Sequence, residues 1–324
     1  MKQIPIVTNL WNALTAPSIP TTSIAISDSQ LVLMTLRRAQ GEFEPRQAAL
    51  LPLPAGLVTP GFARPNIGDE GRLLDLLRRL AEQAALRSKR IGNFNLALPA
   101  GSARSFLIAL ETVPTSRSEM QSLLDWKIER STGYPIDQLQ VSLHRLADQP
   151  AGPHWLVTVI RHEVLAQYES IFRELGWRPG LILPRHLCEM AWLRRSGLDE
   201  DQILISLNPQ GFEVVIVRGS EPILVREVEC SLTNPDEREE MENEFYRLMI
   251  YYRDRLVPHG YSPNLTRVLT IGTSADQQRF RELVSTALER SVTSLNAAQL
   301  GLRLDPGMSL SNVAAAAGLA SMAW

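Results

Sequence analysis

The sequence predicts an α/β protein of two lobes, and three observations carry that reading. A strand-turn-strand pattern, Ser23-Ile24-Ala25-Ile26-Ser27-Asp28-Ser29-Gln30-Leu31-Val32-Leu33-Met34, recurs far downstream as Ile203-Leu204-Ile205-Ser206-Leu207-Asn208-Pro209-Gln210-Gly211-Phe212-Glu213-Val214-Val215-Ile216-Val217. Each copy is followed by a third strand and then by helices alternating with strands, the signature of mixed layers. The chain has 324 residues, beyond the roughly 250–300 at which one hydrophobic core stops growing. A pseudo-duplicated, two-lobed protein accounts for all three.

Residues 1–21 read as a loosely held leader in which Leu10, Trp11 and Leu14 make one amphipathic turn, packed onto the body or serving as a docking anchor. The first strand-turn-strand runs from Thr22 to Thr35, with β-branched residues around a Ser-Asp-Ser tip. A third strand around Gln47 to Leu51 leads into the loop Pro52-Leu53-Pro54-Ala55-Gly56. Leu73, Leu74, Leu76, Leu77, Leu80 and Ala84 recur at helical spacing and predict a helix from Asp69 to Ser88. Strands follow at Phe94 to Leu98 and Arg104 to Val113, then a helix from Ser116 to Ser131 with Ser118 as its cap. Strands at Val141 to Leu146 and Trp155 to Ile160 come next, then a helix from Glu163 to Leu175 stopped by Gly176. A strand at Leu181 to Leu183 is expected to complete a compact α+β unit, and a helix spans Arg185 to Arg195.

After the second strand-turn-strand, Ile223 to Val228 supplies its third strand. A long charged helix spans Pro235 to Leu256, with Phe245, Leu248, Met249 and Tyr252 on one stripe that reads as core. Its acidic run from Asp236 to Glu244 suits the helix dipole and needs no ligand. Strand Val268 to Ile271 reaches Gly272-Thr273-Ser274 and the helix Asp276 to Ser291. The Ala- and Gly-rich segment Ser309 to Met322 predicts a helix pressed between neighbours.

Composition excludes several classes of function. The net charge of −2 gives no bulk attraction to nucleic acid. The basic groups at Arg37-Arg38, Arg87 to Arg90 and Arg194-Arg195 are scattered without interleaved aromatics, so they read as solvated faces. Cys188 and Cys230 lie far apart, outside any metal spacing, as suits a reducing cytoplasm. Pro5, Pro17 and Pro20 interrupt any signal-peptide core, and no window reaches the ~18 apolar residues that span a bilayer. The apolar tail Val313 to Trp324 is too short to cross, so any work at a membrane requires recruitment by a partner.

Catalytic constellations are equally scarce. His144, His154, His162, His186 and His259 form no pair at metal spacing, and there is no Walker A loop, G-x-S-x-G elbow or G-x-G-x-x-G run. Glu119, Asp125 and Glu129 read as a solvated helix face. No catalytic residue and no metal site are assigned.

Several phrases in fixed order resemble the type IV pilus assembly protein PilM family, cytoplasmic members of the actin-like ATPase superfamily related to FtsA. They are Leu51-Pro52-Leu53-Pro54-Ala55-Gly56-Leu57, Glu119 with Trp126-Lys127-Ile128-Glu129-Arg130 and Tyr134-Pro135, and Gly318-Leu319-Ala320. The resemblance implies an actin-like (ASKHA, ribonuclease H-like) two-lobed α/β fold with an inserted α+β subdomain. The first-lobe main subdomain would be 22–100 plus 183–198, with 101–182 inserted. The second would be 199–233 plus 266–324, interrupted by a small helical subdomain at 234–265.

Such ATPases grip phosphates with two glycine-containing hairpins and nearby carboxylates that manage the metal. Onto the family's Asp-Ile-Gly fall Ala25, Ile26 and Ser27, and Val32 takes the lysine position. Carboxylate, close-approach glycine and cation are thus all replaced. Asp28 would set a negative charge towards a triphosphate, costing on the order of 1–4 kcal/mol at 4 Å. In the second hairpin the family's Asp-x-Gly falls on Ser206, Leu207 and Asn208, and Pro209 removes a backbone donor. The nucleoside-side glycine pair appears as Gly272-Thr273. The residues left to line a degenerate nucleotide cleft are Ser27, Ser29, Gly211, Gly272 and Thr273, with ATP and Mg expected only if the cleft is still competent.

The resemblance therefore implies a pseudo-ATPase adaptor of a type IV pilus or related secretion machine, cytoplasmic and peripheral to the inner membrane through its partners. In PilM-like proteins the N-terminal peptide of the membrane protein PilN binds a groove between the main first-lobe subdomain and the inserted one. On this chain that groove maps near Phe106, Ile108 and Leu110 and the helix carrying Leu123, Leu124 and Trp126, residues that read singly as core. Other pilus-platform proteins are further expected partners. The alternative is an active ATPase or kinase of the superfamily. A likeness to the cytoplasmic domain of the type II secretion protein GspL carries the same adaptor logic; that family continues into a transmembrane helix, and this sequence stops at Trp324 without one.

Overall fold

The computed structural model describes residues 19–86, 92–110, 114, 116–147, 153–194, 200–229, 235–257 and 264–324. The leader residues Leu10, Trp11 and Leu14, the basic run at 87–90, Cys230 and His259 lie outside them. Three β-sheets build the molecule. The first takes β1 (Thr22–Ile26), β2 (Gln30–Ala39), β3 (Glu42–Pro52), β4 (Asn93–Leu98) and β8 (Arg178–Pro184) in the order β3-β2-β1-β4-β8. The second takes β9 (Asp201–Asn208), β10 (Gly211–Arg218), β11 (Glu221–Glu229), β12 (Leu265–Ile271) and β13 (Thr293–Ser294) in the order β11-β10-β9-β12-β13. Both begin as an antiparallel meander and continue as parallel strands from the meander's first member. The recurrence seen in the sequence is thus a recurrence of topology. A smaller antiparallel sheet, β5-β7-β6, comprises β5 (Arg104–Ala109), β6 (Leu139–Arg145) and β7 (His154–Arg161).

Helices cover these sheets by the periodicity of their apolar residues. On α1 (Glu70–Gln83), Leu73, Leu74, Leu77, Leu80 and Ala81 form one buried face, and the Asp69 carboxylate accepts the N–H of Arg72 at the helix start. That face joins Tyr168, Ile171 and Phe172 of α3 (His162–Glu174) and the rings of Phe94 and Trp177 in the outer core of the first lobe. On the far side of the molecule, α5 (Pro235–Tyr251) and α6 (Ser274–Leu288) cover the second sheet. Phe245 and Met249 of α5, with Tyr252 of the π-helical turn that follows, pack there on Phe212 and Phe280, so the predicted stripe is core.

Between the two large sheets lie α4 (Arg185–Arg194) and α7 (Leu310–Ser321), which share a core with Val32 and Met34 of one sheet and Leu204, Val215 and Leu269 of the other. Small residues let α7 fit this space. A Cβ on Gly318 would stand 2.1 Å from the Cys188 carbonyl oxygen of α4. Close approach also lets Trp192 Nε1 donate to the Ala314 carbonyl at 3.0 Å and Ser23 Oγ to the Ala316 carbonyl at 2.5 Å.

Two local expectations change. The helix α2 (Arg117–Thr132), which covers the small sheet, is capped by Ser116: its backbone is extended and its hydroxyl accepts the Glu119 N–H, while Ser118 lies inside the first turn. The strand expected to close the inserted unit, now β8, pairs with β4 as the fifth strand of the first sheet. The reason is burial. The apolar face of α3 and the Trp177 ring before β8 belong to the core shared with α1, so the chain has already returned to the first lobe by then.

Candidate functional site: the cleft between the lobes

The first turn, between β1 and β2, is closed on itself. Ser27 Oγ accepts the N–H groups of Gln30 at 3.0 Å and Ser29 at 3.3 Å and donates to the Gln30 carbonyl at 3.1 Å. Two backbone donors of this turn, those of Ser29 and Gln30, are therefore already engaged by a side chain, in a serine turn. Val32 is 1% exposed and sits in the core between the sheets. Behind the turn, Arg185 and Glu189 of α4 form an ion pair at 2.7 Å with Glu189 fully buried. Gln30 Nε2 reaches the Asn312 carbonyl at the start of α7. The space left among Ala25, Ser27, Val32, Arg185, Glu189 and Ala315 is about 30 Å³. That is small against the roughly 300–1,000 Å³ of a typical ligand pocket.

The other residues expected around a nucleotide have structural occupations. A Cβ on Gly272 would come within 2.6 Å of Leu207 Cδ1, so this glycine accommodates the side chain of the second hairpin. Its carbonyl accepts from Ser311 Oγ at 2.6 Å. Thr273 is the N-cap of α6 in a reciprocal capping box with Asp276. In the second turn, Asn208 Oδ1 accepts the Gln210 N–H at 2.9 Å, and Gly211 holds φ at 143°, a value that favours glycine. Ser206 is fully buried, its hydroxyl without a hydrogen-bond partner among the described residues.

Asn208, Pro209 and Gln210 line a separate opening of about 560 Å³, together with Phe62, Arg64, Gly101, Arg104, Glu227 and Glu229. Here the Arg104 guanidinium lies 4.7 Å from the Phe62 ring centroid and pairs with Glu229 at 3.4 Å, bridging β5 to β11. Behind the opening, His186 Nδ1 meets Glu213 Oε1 at 2.8 Å, both side chains 3% exposed. Burial opposes the charge on His186, but the Glu213 carboxylate outweighs it and the imidazole pKa is raised. Burial, and then the charge of Glu213, pushes the Glu227 carboxyl up to about 7. The Cys188 thiol is raised well above its ordinary value by burial and by Glu189. Among the described residues no group of three His, Cys, Asp or Glu is arranged to hold a metal ion, and no helix is long and apolar enough to cross a membrane.

Sequence reading missed this polar cluster. Its members are spread over α4, β10, β11 and β5 with no spacing that links them. The only local signal is that Glu213 and Glu227 sit within otherwise apolar strand patterns.

The residues expected to meet a partner divide in two. Ile108, Leu110 and Leu124 are 5%, 1% and 3% exposed, inside the core between α2 and the small sheet. Phe106 and Leu123 are partly buried against that core, and Phe106 also lines a groove of about 540 Å³ with Leu248 and Tyr251. Trp126 is 51% exposed, with the Arg130 guanidinium 5.4 Å from its ring centroid.

Two sheets of one strand order, enclosing a pair of helices, define an actin-like fold. Within that class, the chain is similar to a chain of the PilM-PilN type IV pilus biogenesis complex, with a TM-score of 0.72 and 18% identity over 95% of this chain and 99% of that one. More distant are a Bacteroides thetaiotaomicron protein with an actin-like ATPase fold and unknown function (TM-score 0.48, 11% identity, 97% and 98% of the two chains) and the cytoplasmic domain of EpsL, an inner membrane component of the Vibrio cholerae type II secretion system (0.46, 10%, 93% and 93%). No family model and no curated protein matches the chain.

Proposed function

We propose that this protein is a cytoplasmic, actin-like adaptor of a type IV pilus or related secretion machine that binds the N-terminal peptide of a PilN-like inner-membrane protein and does not hydrolyse ATP. The observation that carries the non-catalytic part is the small space, about 30 Å³, behind the first turn, where a phosphate-gripping hairpin would need room for phosphates and metal. Two backbone donors of that turn, the N–H groups of Ser29 and Gln30, are spent on Ser27. Fold likeness to a chain of the PilM-PilN complex over nearly the whole of both chains supports the assignment to a pilus machine.

The inserted sheet and α2 are the proposed partner surface. Met120, Leu123 and Trp126 follow one another at three-residue intervals along α2, all with some solvent exposure, and a half-exposed tryptophan stacked by arginine is a common anchor in protein interfaces. Ile108, Leu110 and Leu124 act as the support beneath it. Fluorescence anisotropy with labelled N-terminal peptides of inner-membrane pilus proteins tests the reading. Saturable binding that Trp126→Ala weakens by tenfold or more is expected; failure of every such peptide to bind the folded chain overturns it.

A further inference from the structure

The first sheet ends in an open edge. β8 is last in the order β3-β2-β1-β4-β8, and among the described residues no strand pairs with its outer side. Leu181, Ile182 and Leu183 of β8 are each only partly buried. Leu181 and Leu183 lie with Met322, just past the end of α7, beside the small core of Ala97, Cys188, Ala315 and Leu319. An edge strand invites pairing, and folded proteins cover it, charge it or interrupt it with proline. Pro179 and Pro184 stand near the two ends of β8, but the apolar stretch between them carries no charge.

One piece of the chain is already led to this edge. Thr21 still belongs to the sheet, its carbonyl accepting the Leu36 N–H of β2 at 3.2 Å. Pro20 does not. The fully buried Asn95 of β4 donates its Nδ2 to the Pro20 carbonyl at 2.7 Å, and a Cβ on Gly180 of β8 would stand 3.3 Å from the Pro20 ring. Because β4 separates β1 from β8, the chain has crossed β4 and reached β8 by Pro20. Gly180 makes the room: the β4–β8 register passes from Phe94–Pro179 to Asn95–Leu181 and skips it, leaving a bulge with no side chain. Ile19, next towards the N-terminus, is 36% exposed. β1, β4 and β8 are parallel and Gly180 lies near the start of β8. A segment that arrives at this point after lying along β8 therefore runs antiparallel to it.

We infer that residues 1–18 of this chain are the cover of that edge: they fold back along β8, antiparallel to it, and lay Leu10, Trp11 and Leu14 on Leu181, Leu183 and Met322. Reach permits it. From Pro20 back to Leu14 an extended chain covers about 20 Å, whereas Gly180 to Leu183 along a strand is about 10 Å. Lys2 is the only charged side chain in the segment, so little polar surface is desolvated when it lies on apolar side chains. Tethering at Pro20 holds the segment beside β8 at a high effective concentration, which favours the chain's own leader over that of a second copy. The inference stands apart from the adaptor reading, because it needs neither peptide nor nucleotide.

Hydroxyl-radical footprinting of the full chain, read by mass spectrometry, reports directly on the covered side chains. Leu10→Asp, Trp11→Asp and Leu14→Asp together are expected to raise oxidation of Met322 and of the β8 peptide severalfold, while Tyr246, 38% exposed on α5, stays unchanged. In the parent the protection is expected to persist on dilution to concentrations at which light scattering shows a monomer. Equal oxidation of Met322 and β8 in parent and variant, or a rise just as large at Tyr246, would overturn the inference. Protection that appears only as a dimer forms would give the edge to a second copy's leader, and would overturn it as well.

Discussion

Gly318→Ala sets helix propensity against packing, and the structure says which wins. Alanine is favoured over glycine inside a helix by about 1 kcal/mol, so propensity alone predicts a more stable protein. Gly318, however, lies on the buried face of α7, where an added Cβ would stand 2.1 Å from the Cys188 carbonyl oxygen and 3.0 Å from both the Cys188 carbonyl carbon and Trp192 Nε1. The obstacle is backbone of α4, which cannot rotate away as a flexible side chain would. The helices must part by an ångström or more, loosening the Trp192–Ala314 and Ser23–Ala316 hydrogen bonds at 3.0 and 2.5 Å. Overpacking of this kind costs about 1–3 kcal/mol, and strained hydrogen bonds add about 1 kcal/mol each. After the propensity gain, a net loss of about 2–4 kcal/mol is expected. Urea unfolding followed by circular dichroism measures it, with Gly71→Ala on the exposed start of α1, 3.6 Å from the Asp69 carboxylate, as the near-neutral control. A Gly318→Ala protein as stable as the parent, with an unchanged slope, would refute the close-packed α4–α7 seam.

Further predictions follow from the same geometry. Glu189→Ala leaves the Arg185 guanidinium without its 2.7 Å partner and is expected to cost about 3–5 kcal/mol by the same unfolding assay, with Glu189→Gln milder. Restoring the phosphate-hairpin residues by Ala25→Asp, Ser27→Gly and Val32→Lys together is expected to yield no Mg-ATP binding by calorimetry, because the small space behind the turn is also walled by Arg185, Glu189, Asn312 and Ala315, which the substitutions leave in place. Stability should also depend on pH through Glu227. Its carboxyl titrates near 4.5 when unfolded and near 7 when folded, so the folded state holds the proton across that interval. Stability therefore falls as pH rises from 4.5 and levels off above 7. The loss is at most about 3 kcal/mol, and less because the carboxyl keeps some solvent contact. Melting curves of the parent and Glu227→Gln between pH 5 and 8.5 check this: the variant should be flatter and the more stable of the two at pH 8.

Much of the fold is legible because its signals are local. The leucine spacing of α1, the two strand-turn-strand patterns and the Ala-rich α7 each report burial through periodicity or residue size, and each is where the sequence puts it. Strand membership is a different matter. Arg178–Pro184 reads as a short strand in any sheet, and only the packing of α3 and Trp177 against α1 decides that it joins β4.

The cleft is legible in its losses and not in its contents. Replacement of glycine by Ser27 can be read along the chain, but the hydroxyl's capture of the Ser29 and Gln30 N–H groups needs the folded turn. Gly272 and Thr273 look like kept nucleotide residues in sequence; in space one makes room for Leu207 and the other caps α6. The His186–Glu213–Glu227 cluster has no sequence signature, since strand register and a helix from another part of the chain bring its members together.

The central claim is that an actin-like fold is used here for its shape and partner surfaces while its nucleotide cleft stays closed. Calorimetric titration of the full chain with Mg-ATP, paired with phosphate release over hours, tests it most directly. The account predicts no saturable heat at millimolar nucleotide and no release above the buffer rate. Micromolar binding with turnover would contradict it.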